Sequence, residues 1–188
     1  MRHNVSKNIV FHENPISFNK NTERELLQYC LGGTLYMPST RQIAGKIIKN
    51  SIPELTSMVM CFEDAISPSD LPLGEANVIE ELDNLDRAYK NKELNIDNLP
   101  LIFLRVRDIN QFSSFANKLS NEHVQILTGF VFPKFYSDNA IEYLEQLDAL
   151  NKKFGTKLYG MPILEGDSIA NVETRVSELK KLKSIIDP

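Results

Sequence analysis

Five short apolar runs set the layout of this chain. Each ends at a charged or turn-forming residue, and each is followed by a segment with helical spacing. Residues 58–62 (Met-Val-Met-Cys-Phe) are apolar without a break and lead into Glu63 and Asp64. A strand covered on both faces has no polar side to show, so this run predicts a buried strand of a parallel sheet over 57–63. The other runs are 34–37, stopped by Pro38; 101–106, after Pro100; 126–132, ending in Pro133 and Lys134; and 158–164, ending at Glu165.

The intervening segments read as helices. Thr22 followed by Glu25 is a capping-box spacing, which predicts a short helix ended by Gly32 and Gly33. Ile43, Ile47 and Ile48 predict a helix over 41–50, with Ser39 or Thr40 available as its cap. Residues 74–90 place Val78, Leu82 and Leu85 along one stripe, and the many charges of that helix read as a solvated face. Asp108 is placed to cap a helix carrying Phe112, Phe115 and Leu119. A helix over 138–153 carries Ile141, Leu144, Leu147 and Leu150 and ends near Gly155. A last one, over 169–186, carries Val172, Val176, Leu179 and Leu182. Residues 1–21 are polar and predict a loose N-terminal arm or short lid. His123 falls in a polar turn and is expected at the surface.

Strict strand–helix alternation with right-handed crossovers predicts one parallel α/β sheet in a single domain of 1–188. A doubly wound five-strand sheet is complete at this length. A (β/α)8 barrel typically needs about 250 residues, so this chain would supply its first five units. No Gly-x-Gly-x-x-Gly follows the first strand, which removes the main support for a dinucleotide fold.

Composition narrows the function. The 188 residues are 42% hydrophobic and 24% charged, as in ordinary soluble domains, and the net charge of −4 does not suit a nucleic-acid backbone. No apolar run reaches the ~20 residues of a membrane span, and no signal peptide is evident. Cys30 and Cys61 are the only cysteines, and Cys61 lies inside a predicted buried strand as a core residue, so no structural disulfide is expected. A cytoplasmic protein without membrane or nucleic-acid partners is the expectation.

Ligands of parallel α/β sheets bind at the carboxyl ends of the strands. The residues gathered there are Arg41, Glu63, Asp64, Arg105, Lys134 and Glu165. Carboxylates at that rim can hold Mg²⁺ through hard oxygen ligands, and the cations can hold an anionic substrate. Arg105 stands out because a charge inside Leu104-Arg105-Val106 must be paired or face a site.

These motifs, in order, are Leu-Tyr-Met-Pro-Ser-Thr-Arg (35–41), Phe-Glu-Asp-Ala (62–65), Leu-Arg-Val-Arg (104–107), Gly-Phe-Val-Phe-Pro-Lys (129–134) and Pro-Ile-Leu-Glu (162–165). Together, over about residues 31–186, they resemble the citrate lyase β-subunit-like group of the HpcH/HpaI aldolase superfamily. Within it they resemble the TIM-barrel C–C bond lyases associated with tellurite-resistance gene clusters. The resemblance implies a (β/α)8 barrel with Mg²⁺ as cofactor. It also implies cleavage of a C–C bond next to a carbonyl, on a small carboxylic acid or a CoA-type thioester, in a homo-oligomer such as a trimer. By the same resemblance Arg105, Glu63 and Asp64 are catalytic. Arg41, Arg105 and Lys134 bind substrate, Glu165 is the metal ligand, and Arg107, an added cation where the group has asparagine, is expected to bind a more anionic substrate. The sequence departs from the group at Ser39 for glycine, Cys61 for aspartate, Arg107 for asparagine, and Gly166-Asp167 for Thr-Ala. The group's sixth-strand aspartate has no counterpart, so the expectation is poor Mg²⁺ binding and no lyase activity for these 188 residues alone. A non-catalytic anion-binding or interaction module is the alternative.

Overall fold

The computed structural model describes His12 and residues 16–187. Five parallel strands run side by side in sequence order: β1 (Leu35–Pro38), β2 (Ser57–Cys61), β3 (Leu101–Arg105), β4 (Gly129–Phe132) and β5 (Tyr159–Pro162). Eight helices connect and flank them among the described residues: α1 (Arg24–Leu27), α2 (Ala44–Ile48), α3 (Leu71–Lys90), α4 (Ile109–Ala116), α5 (Asn121–Ile126), α6 (Ala140–Phe154), α7 (Asp167–Ala170) and α8 (Val172–Ile186). No helix among the described residues is long and apolar enough to cross a membrane.

The two faces of the sheet differ. Met37, Met58, Met60, Ile102, Leu104, Phe130 and Phe132 point to one side, where they share a core with residues of α2 through α6 and Leu182 of α8. Val59, Leu101, Phe103 and Val131 point to the other, where they meet Phe18 and Leu27 from the N-terminal segment. Side chains alternate along a strand, so this split follows from period two. The crossover helices lie on one face, the one-turn α1 lies on the other, and the unbroken strand order makes five staves of a (β/α) barrel. The doubly wound sheet, which needs crossover helices on both faces, is excluded.

Several expectations need correction. Within 1–21, the described part is docked rather than loose: Phe18 and Lys20 are buried, and the Lys20 ammonium donates to the Val124 carbonyl. The Thr22 capping box does not form. Glu23 starts a one-turn helix without a side-chain cap, and Thr22 Oγ1 instead accepts from Asn19 N–H. Neither Ser39 nor Thr40 caps α2, whose first N–H groups, on Ile43 and Ala44, donate to the buried carboxylate of Glu81 on α3. The charged side of α3 is therefore not simply solvated: Glu75, Asn77 and Glu81 are buried.

His123 is buried too. Residues around it form α5, with a reciprocal capping box between Ser120 and His123, and this shortens the following strand to Gly129–Phe132. With Nδ1 accepting from Ser120 N–H, the ring proton sits on Nε2, which donates to Asp83 at 2.8 Å. Asp108 does cap α4, accepting from Gln111 N–H at 2.8 Å, and Gly155 ends α6 at φ 58°, a conformation only glycine adopts freely. In α8 the stripe Val172, Val176 and Leu179 is exposed, while Glu178 and Leu182 face the protein.

Candidate active site

Period-two alternation carries the site. Val59 and Cys61 face the inner side of the sheet, so Glu63, two residues on, faces it as well. Phe103 leads to Arg105 in the same way, and Cys61 and Arg105 are register partners. Pro38, Val131 and Met161 complete that row across the sheet. The row is apolar except for one guanidinium.

Three carboxylates converge on Arg105 Nη2. Glu63 Oε2 makes a close ion pair with it, Glu165 Oε1 accepts at 3.1 Å, and Asp64 Oδ2 lies at 3.2 Å. Glu63 is only 5% exposed and Arg105 8%, while the Asp64 side chain is 70% exposed. Arg105 Nε is buried without a hydrogen-bond partner. Burial opposes the guanidinium's charge, but Glu63, Cys61, Glu165 and Asp64 together hold its pKa above the ordinary arginine value.

Lys134 supplies the second cation. Its Nζ stands 2.9 Å from Glu63 Oε1 as an ion pair. Glu63, first as a hydrogen-bonding partner and then as a charge, raises the Lys134 pKa, with Asp64 and Glu165 adding to it. The Lys134 backbone is left-handed at φ 47°, a strained state for a residue with a Cβ. Two contacts hold it there: Lys134 N–H donates to Glu165 Oε1 at 3.1 Å, and Asn139 Nδ2 donates to the Lys134 carbonyl at 2.9 Å. Glu165 is thus tied to both β3 and the end of β4 through one oxygen.

The sequence-predicted residues divide accordingly. Glu63, Asp64, Arg105, Lys134 and Glu165 come together. Arg41 does not join them: its side chain is exposed and makes no ion pair among the described residues. Arg107 is turned to the backbone, with its guanidinium on the carbonyls of Phe62, Glu63 and Ile66. Cys61, 2% exposed, is packed beside Arg105.

One residue escaped the sequence reading. Tyr36 of β1 is the register partner of Val59 and so belongs to the inner face. Its phenol pKa is raised by burial, with Cys61 and Glu165 raising it further and Arg105 pulling it down. The signal for it was the alternation from Tyr36 to Pro38 within the first motif.

The donor set suits a hard divalent cation. Glu165 Oε2 and Asp64 Oδ1 have no partner among the described residues, and Mg²⁺ commonly takes one or two carboxylates and completes its shell with water and substrate. Among the described residues there is no preformed group of three or more His, Cys, Asp or Glu side chains that would hold a metal.

The family model for C–C bond lyases of the TIM-barrel fold matches residues 25–188. Comparison with curated proteins finds no match.

Proposed function

The chain belongs to the C–C bond lyases of the TIM-barrel fold, and on that premise we propose that it acts as a Mg²⁺-dependent lyase of the citrate lyase β-like kind. The substrate is a small carboxylic acid or a CoA-type thioester bearing a hydroxyl next to the bond that breaks. The observation that carries this reading is the convergence of Glu63, Asp64 and Glu165 on Arg105 Nη2 at the carboxyl ends of three strands.

Cleaving such a bond turns the hydroxyl carbon into a carbonyl and leaves an enolate on the other fragment. Arg105 is placed to hold the substrate's anionic oxygen, where negative charge grows as the bond breaks. Asp64, exposed and with one oxygen free, is placed to take the hydroxyl proton. Glu63, sealed between Arg105 and Lys134, fixes the direction of both cations. Lys134 adds positive charge at the mouth. Mg²⁺, held by Glu165, would supply Lewis-acid stabilisation of the same oxygen.

The test is isothermal titration with Mg²⁺ followed by cleavage assays on a panel of 3-hydroxy acids and their CoA thioesters, with and without chelator. With the complete (β/α)8 barrel present, Mg²⁺-dependent release of a carbonyl product, lost in Glu165→Gln, is the expected result. Binding of the same anions without Mg²⁺ and without turnover would favour the second reading, a non-catalytic anion-binding module.

A further inference from the structure

Arg107 lies two residues beyond Arg105, at the mouth of the sheet, yet its guanidinium is not offered freely to a ligand. Nε donates to the Phe62 carbonyl at 3.1 Å, and Nη2 donates to the carbonyls of Glu63 at 3.2 Å and Ile66 at 3.1 Å. These three carbonyls bracket the turn that carries Glu63 and Asp64. Turn carbonyls lie outside the sheet ladder and need partners elsewhere; one side chain reaches all three here, and the Glu63 carbonyl also accepts from Ile66 N–H at 3.4 Å.

Arg107 is itself held. Its backbone N–H donates to Gln111 Oε1 at 3.1 Å, and Gln111 Nε2 donates to Glu75 Oε1 at 2.8 Å. Glu75 Oε2 receives Lys118 Nζ at 2.6 Å. Gln111 and Glu75 are buried, so this hydrogen-bonded chain runs from the contact of α3 with α4 to the end of β2. Only Nη1 of Arg107 has no partner among the described residues.

We propose that Arg107 is a positioning residue: its planar fork pins the 62–66 turn and thereby aims the Glu63 and Asp64 carboxylates at Arg105, with Gln111 and Glu75 holding Arg107 in place. The fork matters more than the charge. A lysine ammonium is a point donor on a flexible stem and cannot span three carbonyls in this arrangement. What the aimed carboxylates then do rests on the lyase reading above; the aiming itself does not.

The experiment separates fork from charge. Arg107→Lys keeps the positive charge and loses the fork, whereas Arg107→Ala loses both. Mn²⁺ is the probe, titrated into the full chain and read by the electron paramagnetic resonance of the free ion. Amide exchange is followed by mass spectrometry in parallel. Both variants are expected to bind Mn²⁺ about tenfold more weakly, in the range for lost outer-shell partners of a metal site. Exchange should quicken over residues 62–67 while the rest of the sheet is unchanged. Low-millimolar guanidinium should restore both readouts in Arg107→Ala. Wild-type Mn²⁺ affinity and exchange in Arg107→Lys would overturn the proposal, as would exchange that quickens uniformly or guanidinium that restores nothing. A wild-type chain that binds no Mn²⁺ refutes the metal reading instead, and the local exchange pattern with its guanidinium rescue then decides the role of Arg107.

Discussion

Removing Arg105 is expected to cost far more stability when Glu63 is left behind than when both are replaced. Glu63 is 5% exposed, and its two neighbours of opposite charge are the buried Arg105 and a Lys134 whose side chain is 62% exposed. Arg105→Met leaves a sealed carboxylate facing one solvated ammonium. Breaking a fully buried pair from one side costs about 3–5 kcal/mol, and the open mouth trims this to roughly 2–4 kcal/mol here. The contacts of Arg105 with Asp64 and Glu165 reach solvent and add only about 0–1 kcal/mol each. Glu63→Gln is milder, because Arg105 keeps those two carboxylates, and is expected to cost about 1–2 kcal/mol. The double variant Arg105→Met with Glu63→Gln leaves no unpaired buried charge, so it should fall short of the sum by about 1.5–3 kcal/mol. Urea denaturation of the four proteins reads this directly as shifts in midpoint at constant slope. Costs that add within about 0.5 kcal/mol would refute the coupling, and with it the claim that Arg105 and Glu63 form one electrostatic unit.

Three further outcomes follow from single groups. Burial lowers the Lys20 pKa to about 8, so the folded chain sheds this proton before the unfolded chain does, and stability rises between about pH 8 and the ordinary lysine range near 10.4. Lys20→Met should therefore stabilise most at pH 7, by as much as roughly 3 kcal/mol, with the gain shrinking above about pH 8; a pH-independent difference sinks this account. Arg105 pulls the Tyr36 phenol down against burial; Arg105→Met should move its ionisation higher, read in the tyrosinate ultraviolet band with Tyr36→Phe as the blank, and an unchanged titration would remove Tyr36 from the site. Glu81→Ala strips the N–H groups of Ile43 and Ala44 of their acceptor, at a cost of about 1–3 kcal/mol; a loss below about 0.5 kcal/mol in urea would mean water replaces the carboxylate without penalty.

What the sequence made legible and what it hid divide along contact range. Unbroken apolar runs located β2 and β3 closely, because a strand covered on both faces has no alternative pattern. Asp108 and Gly155 were legible as cap and stop, since both act on backbone within a turn of themselves. The cap of α2 was not, because Glu81 lies 38 residues from Ile43. The same holds for Glu75, whose partners Gln111 and Lys118 are 36 and 43 residues away. Spacing alone could not tell a buried carboxylate on α3 from a solvated one. In α8 only Leu182 of the stripe Val172, Val176, Leu179 and Leu182 is buried, alongside Glu178. Glu178 earns its place through Ser137, accepting from its N–H at 2.7 Å and its hydroxyl at 3.0 Å. His123 was taken for surface because its neighbours are polar. Those neighbours, Ser120 above all, are what fold it inward.

The same division explains which site residues could be named in advance. Glu63, Arg105 and Glu165 end strands whose inner faces are fixed by alternation, so a strand-end charge two residues beyond an inward apolar residue must itself point inward. Arg107 obeys that count and still takes another role, because the carbonyls left open by the 62–66 turn claim its donors first. The mouth that results holds three carboxylates against two cations, and an anionic substrate meets net repulsion there. A divalent cation on Glu165 reverses that balance from one negative to one positive charge. Anion affinity should then depend on prior binding of the cation, which ties the lyase reading to the charge count of the site.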